Sequence, residues 1–187
     1  TVVGEYLCQN FSKLKKVTLP EGLKEISAFA FESCVALEDI VFPSTLTTIR
    51  DSAFFSCNSL TSIALPEKTK TIEDYAFFAC DNLTELSLFQ TSGLDMIFDM
   101  SIVTKVTIGE GASFIAESAF EYCEALTEVK LPSTLTSIKA YAFYGCTALE
   151  RLTLPEGLVS ISENVFENCT ALCEINLPES LMLISEY

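Results

Sequence analysis

A cysteine recurs along this chain on a fixed ruler. Cys34, Cys57 and Cys80 stand 23 residues apart, as do Cys123, Cys146 and Cys169; the two sets are separated by 43 residues, one full period plus a short one of 20. Other columns keep the same spacing. Leu37, Leu60, Leu83, Leu126, Leu149 and Leu172 follow each cysteine by three residues. Ile40, Ile63, Leu86, Val129, Leu152 and Ile175 come three later, then Phe42, Leu65, Leu88, Leu131, Leu154 and Leu177, with a proline after most of these. Ile26, Ile49, Ile72, Ile115, Ile138, Ile161 and Ile184 make a further column, followed in most copies by Ala-Phe four residues on. One such copy buries almost nothing alone. Its apolar side must be covered by the next copy, so stability depends on nearest neighbours.

The spacing within the unit predicts the path of the chain. In L-x-x-I-x-L the last two apolar residues are two apart, a strand period. Each turn sets that strand about 4.8 Å from its equivalent in the next, which predicts a parallel sheet. Proline ends the strand because it cannot donate to the ladder. The following L-x-x-I predicts a second, shorter extended segment. Ala-Phe-x-x-Cys is expected to bend back as a single helical or 3-10 turn with Ala, Phe and Cys inward. A period of about 20–29 residues is the signature of a leucine-rich repeat solenoid. The expectation is a right-handed, gently curved one of about eight turns, some 40 Å long at roughly the strand spacing. Residues 1–187 read as a single such domain.

The cysteines fit this picture as small buried hydrophobes whose S–H reaches a backbone carbonyl in a tight turn. Phe11 takes the cysteine column in the first copy and Met100 in the short one, which suits packing rather than chemistry. Thiols in stacked turns run parallel, poor geometry for a disulfide, and the spacing matches no zinc motif. Cys8 and Cys173 lie off the column, where a bridge or a free thiol both stay open.

The period breaks around residues 89–108. Counting back from Ile108 puts Met100 at the cysteine column, Ile97 at the Phe column and Met96 at the Ala column. Three residues are missing between Leu88 and Met96, and Gly109 stands where proline is expected. One reading makes this a ligand spot with Phe89, Leu94 and Phe98 exposed. The other is a tolerated deletion refilled by adaptable methionine.

Composition narrows the chemistry. Lys and Arg number 11 against 26 acidic residues, a net charge of −15. Such a surface repels phosphate backbones and anionic lipid, so nucleic acid is not an expected partner. Apolar residues are scattered, with no run long enough for a membrane span. The chain has no histidine, which removes Ser-His-Asp and Cys-His catalysis. No glycine-rich phosphate loop or calcium-loop spacing occurs, and a short solenoid has no deep cleft for paired carboxylates. No enzyme activity and no cofactor or metal site is predicted.

The candidate binding surface follows from strand alternation. Residues flanking the inward position point away from the core, on the concave face. They are Lys16 and Thr18, Asp39 and Val41, Ser62 and Ala64, Glu85 and Ser87, Lys105 and Thr107, Glu128 and Lys130, Arg151 and Thr153, and Glu174 and Asn176. The set is small and polar and has no aromatic anchor. A merely solvated face is the competing reading. Tyr75, Phe78, Tyr122, Tyr141 and Tyr144, near the Ala-Phe turns, are expected to form a second patch or to cover seams between turns.

These columns resemble the BspA-type leucine-rich repeat family, also called the Treponema pallidum type. Its motif is seen as AFFSCNSLTSIALPEKTKTI at Ala53–Ile72 and AFYGCTALERLTLPEGLVSI at Ala142–Ile161. The resemblance implies a secreted or surface-anchored protein and a non-enzymatic role in adhesion to a host or neighbouring-cell protein or glycan. The alternative is a spacer that presents another domain and binds nothing. The chain begins at Thr1 partway into a copy and stops at LMLISEY before any Ala-Phe turn, so it reads as a fragment of a longer protein. Leu181, Leu183 and Ile184 would leave an apolar end, to be covered by further chain or by an end-to-end dimer.

Overall fold

The computed structural model describes residues 1–185, which form a parallel-strand solenoid. The chain divides into two compact units, Thr1–Leu86 with Asp95–Asp99, and Ser87–Leu94 with Met100–Tyr187. The first unit carries β1 (Val2–Val3), β2 (Lys16–Thr18), β3 (Glu25–Ile26), β4 (Asp39–Val41), β5 (Thr48–Ile49), β6 (Ser62–Ala64), β7 (Thr71–Ile72) and the start of β8 (Glu85–Leu88). Helix α1 (Leu94–Ile97) and a 3-10 turn at Met100–Ile102 follow. The second unit holds β9 (Lys105–Ile108), β10 (Phe114–Ile115), β11 (Glu128–Lys130), β12 (Ser137–Ile138), β13 (Arg151–Thr153), β14 (Ser160–Ile161), β15 (Glu174–Asn176) and β16 (Leu183–Ile184).

Each regular copy contributes a strand of three or four residues and one of two residues; the short copy contributes β8 alone. In the first unit β2 pairs with β4 in the register Lys16↔Asp39, and β1, β3, β5 and β7 form a second sheet. In the second unit β9 pairs with β11 and β13 with β15, while β10, β12, β14 and β16 form the second sheet. The registers Lys16↔Asp39, Lys105↔Glu128 and Arg151↔Glu174 join residues 23 apart, the sequence period. Inside, Ile26 and Ile49 fill one column, and the phenylalanines stack. Phe31, Phe54 and Phe77 lie 5.1 and 5.0 Å apart by ring centroid in the first unit; Phe120 and Phe143 lie 5.2 Å apart in the second.

The bend at Ala-Phe-x-x-Cys is not helical in the regular copies. It runs through two left-handed residues, one before the Ala and one before the Cys: Phe29 and Ser33, Ser52 and Ser56, Tyr75 and Ala79, Ser118 and Tyr122, Tyr141 and Gly145, Asn164 and Asn168. Alternate N–H groups then point along the stack. Phe29, Phe31 and Ser33 donate to the carbonyls of Asp51, Ala53 and Phe55 in the next turn. A third ladder of hydrogen bonds thus joins the copies and satisfies backbone that a buried bend would leave orphaned.

Among the described residues helix forms only in the short copy, and there the spacing-based register needs correction. Phe98, not Ile97, fills the Phe column: it is 1% exposed and stacks on Phe77 at 5.4 Å. Ile97 takes the Ala column, since its carbonyl accepts the Phe77 N–H as that of Ala76 accepts from Phe54. Met96 is exposed and Leu94 buried, so of Phe89, Leu94 and Phe98 neither of the last two is available to a ligand. Of the three residues the copy has lost, two fall between Leu88 and Ile97 and one between Ile97 and Met100, and its neighbours turn left-handed just before the positions of Ile97 and Met100. What remains can close as right-handed α and 3-10 turns. Met100 is buried in the cysteine column as expected.

In the second unit two contacts repair the shortened copy. Thr91, buried, accepts the Ala116 N–H on its Oγ1 at 2.8 Å, where the regular copies offer an isoleucine carbonyl. Phe89 lies over Gly109, where any Cβ would enter its ring.

Candidate functional site

The strand face presents the sixteen expected positions as alternation requires. All are exposed except Ser87 and Glu128, which are half-buried. The 23-residue register sets like positions side by side, so charges placed one period apart meet. In the first unit Lys16 Nζ lies 2.6 Å from Asp39 Oδ2 across the β2–β4 ladder. In the second, Arg151 Nη1 lies 3.0 Å from Glu174 Oε2 across β13–β15. Lys130 Nζ lies 3.1 Å from Glu128 Oε1 along β11, and this ammonium holds the Glu128 carboxyl below its usual range. Such exposed pairs contribute little to stability. Their effect is to leave a face of alternating sign rather than a block of one charge.

Between the pairs the face is small: Thr18 and Val41 in the first unit, Thr107 and Thr153 in the second. Asn176 is occupied, accepting the Leu154 N–H at 2.9 Å and donating to the Leu154 carbonyl at 3.1 Å. It therefore imitates a strand rather than facing a ligand. A shallow depression of about 440 Å³ lies over Arg151, Thr153 and Glu174. Among the described residues no group of three His, Cys, Asp or Glu is placed to hold a metal ion.

A family model for the BspA type leucine rich repeat region, in six copies, matches residues 1–97 and 92–187. The chain belongs to the BspA-type leucine-rich repeat family. It is similar to a solved leucine-rich repeat protein from Bacteroides ovatus, at 29% identity and TM-score 0.73 over 98% of this chain and 48% of that one. A leucine-rich repeat protein from Eubacterium ventriosum is similar at 25% identity and TM-score 0.68, over 90% of this chain and 45% of that one. The T. pallidum leucine rich repeat protein shares 28% identity at TM-score 0.56, over 92% of this chain and 74% of that one. The chain thus spans about half the length of the first two. Among curated proteins none matches it.

The cysteine column of this BspA-type chain is structural. Cys57, Cys80, Cys146 and Cys169 donate their thiols to the carbonyls of Phe31, Phe54, Phe120 and Phe143, at 3.1–3.2 Å. Burial pushes the Cys80 and Cys123 thiols up to about 12. All eight cysteines are free, with Cys173 exposed and Cys8 half-buried. Cys8 lies off the cysteine column, as expected: its carbonyl receives the Cys34 thiol at 3.1 Å, so it stands in the Phe column of the first copy.

The second patch expected near the Ala-Phe turns separates into one cluster per unit. Tyr75 and Phe78 meet edge to face at 5.6 Å in the first; Tyr122, Tyr144 and Tyr141 meet in the second, at 5.2 and 5.9 Å. One arrangement escaped sequence reasoning. Arg50 spans three copies, with Nη1 2.6 Å from Glu73 and Nη2 3.1 Å from Glu25. The signal was a cation one period before Glu73 and about one period after Glu25.

No helix of the described residues is long and apolar enough to cross a membrane.

Proposed function

We propose that this chain is a non-enzymatic recognition module that binds a protein or glycan of a host or neighbouring cell through its strand face, at a cell surface. The carrying observation is the regular array of exposed, alternately charged side chains, exemplified by Lys16 with Asp39 and Arg151 with Glu174. The core needs none of them, so they are available to a partner. The face lacks an aromatic anchor, which suits affinity built from many modest polar contacts. The family resemblance supports the surface location.

The pairing of these charges also supports a second reading, a spacer whose solvated face binds nothing. Immobilised matrix proteins and mucin separate the two. The variant Lys16→Glu/Lys130→Glu/Arg151→Glu is expected to lose binding at least about tenfold, while Lys24→Glu, away from the strand face, keeps it. Equal binding by both variants would move the site elsewhere. Absence of binding by the unaltered chain would favour the spacer.

A further inference from the structure

One exposed aromatic feature lies off the strand face. In the second unit Tyr122 sits in a left-handed bend, at φ 56°, and is 57% exposed. A side chain that only sealed the seam between turns would be covered. The ring is placed by its neighbour in the next turn. Its Cδ1–Cε1 edge lies on Gly145, where a Cβ would come within 2.9 Å of Cδ1. The equivalent residues of other copies are Ser33, Ser56, Ala79 and Asn168, so glycine stands in this column only beneath the tyrosine. Tyr144 meets Tyr122 edge to face at 5.2 Å, and Tyr141 meets Tyr144 at 5.9 Å.

Acid flanks this cluster. The column after the recurrent phenylalanine reads Glu121, Tyr144 and Glu167 in three successive turns, at about the 4.8 Å spacing of the stack. The Tyr122 phenol is held above its ordinary range, first by its hydrogen bond with Tyr144 and further by the charges of Glu121 and Glu167, so both carboxylates act on the exposed ring. Glu167 rests one oxygen on the Asn164 amide. Glu121 meets no Lys or Arg among the described residues. Aromatic faces carry negative potential, as carboxylates do. The cluster thus combines two attractions for a cation.

We propose that this cluster is a second docking surface, which takes an arginine side chain from a basic segment of a partner protein. The guanidinium lies against the exposed Tyr122 ring, and Glu121 and Glu167 balance its charge. Arginine suits the site better than lysine, because its planar, weakly hydrated group stacks on a ring while its N–H edge reaches a carboxylate. A neutral sugar would stack on the ring and leave Glu121 unbalanced. A sulfated or sialylated one would be repelled by a chain of net charge −15. The surface lies on the turn ladder and not on the strands, so it stands or falls independently of the strand face.

Fluorescence anisotropy of a labelled, end-capped Gly-Arg-Gly-Arg-Gly peptide tests it, at about 0.15 M salt to screen diffuse attraction. The control peptide carries citrulline for arginine, which keeps the planar shape and loses the charge. The unaltered chain is expected to bind the arginine peptide at least about tenfold more tightly than the control. Tyr122→Leu is expected to weaken binding about three- to fivefold and Tyr122→Phe to keep it within about twofold, because a ring and not merely apolar area is required. Glu121→Gln is expected to weaken it about two- to fivefold, while Glu156→Gln, in the turn after Pro155, leaves it unchanged. Each variant is checked for unchanged circular dichroism. The proposal is overturned by the absence of saturable binding up to millimolar peptide, by equal binding of the citrulline peptide, by a Tyr122→Leu variant that binds as the parent does, or by equal effects of Glu121→Gln and Glu156→Gln. Tyr122-dependent binding of cellohexaose without binding of the peptide would also overturn it, and would make the cluster a sugar platform. The citrulline comparison uses the unaltered chain and decides the matter should Tyr122→Leu unfold.

Discussion

The Cys57 thiol donates to the carbonyl of Phe31 at 3.2 Å, and that carbonyl also accepts the Cys34 N–H at 3.2 Å. Both lone pairs of a buried oxygen are therefore used, one by its own turn and one by the next. This explains why a cysteine rather than another small apolar residue recurs there. Cys57→Ala removes both volume and donor and is expected to cost about 2 kcal/mol. Cys57→Val leaves no cavity and loses the donor, at about 1 kcal/mol beyond any cost of fitting the second methyl. Denaturant midpoints measure both. A valine variant as stable as the parent would reduce the thiol to a space-filler.

The buried thiols make stability depend on alkaline pH. Cys80 and Cys123 are raised from 9.0 to about 12, because burial disfavours the thiolate. The neutral thiol is the form the native state holds, so the unfolded chain gives up its proton first. The stabilising contribution is complete below about pH 9 and is lost as pH rises toward about 12. Each such thiol steepens the fall by up to about 1.4 kcal/mol per pH unit. Urea midpoints taken through this window should decline, and Cys80→Val should flatten the decline. An identical slope in that variant would assign the effect to other groups.

Phe98 stacked on Phe77 implies a sharp contrast between neighbours in sequence. Phe98→Ala is expected to cost about 3–5 kcal/mol, the usual range for an emptied aromatic site. Met96→Ala, at an exposed position, should fall within about 0.5 kcal/mol. Thermal or denaturant melts distinguish them. Near-neutrality at Phe98 with a large loss on Ile97→Ala would restore the spacing-based register.

The pattern of the sequence carries most of this fold because a solenoid repeats one solution. Cys57, Leu60 and Ile63 are buried where their spacing places them, and Lys16 and Arg151 emerge where alternation requires. Met100 was legible for the same reason. Phe98 was not, because counting back assumes constant spacing and the deletion is spread through the turns. The left-handed bends were equally hidden. Phe29, Ser52 and Tyr75 are not residue types that favour positive φ, and hydrogen bonds to the next copy help to hold them there. On the candidate face the exposed positions could be named from alternation, but the turning of Asn176 onto Leu154 could not, since it depends on a backbone edge in the preceding copy.

The short copy offers a test of how its repair is built. Phe89 covers Gly109 so closely that a Cβ would overlap its ring. The position has lost the proline of the regular copies, and in exchange a ring half-closes the turn. Gly109→Ala should therefore destabilise by about 1–3 kcal/mol through overpacking, although alanine is acceptable to the backbone there. Phe89→Ala should cost a similar amount by uncovering the turn. The double variant should be less harmful than the sum, because removing the ring admits the methyl. A coupling of about 1 kcal/mol or more in this cycle is expected. Additive losses would mean that Phe89 can swing away from Gly109, and that the ring does not define the conformation of the shortened turn.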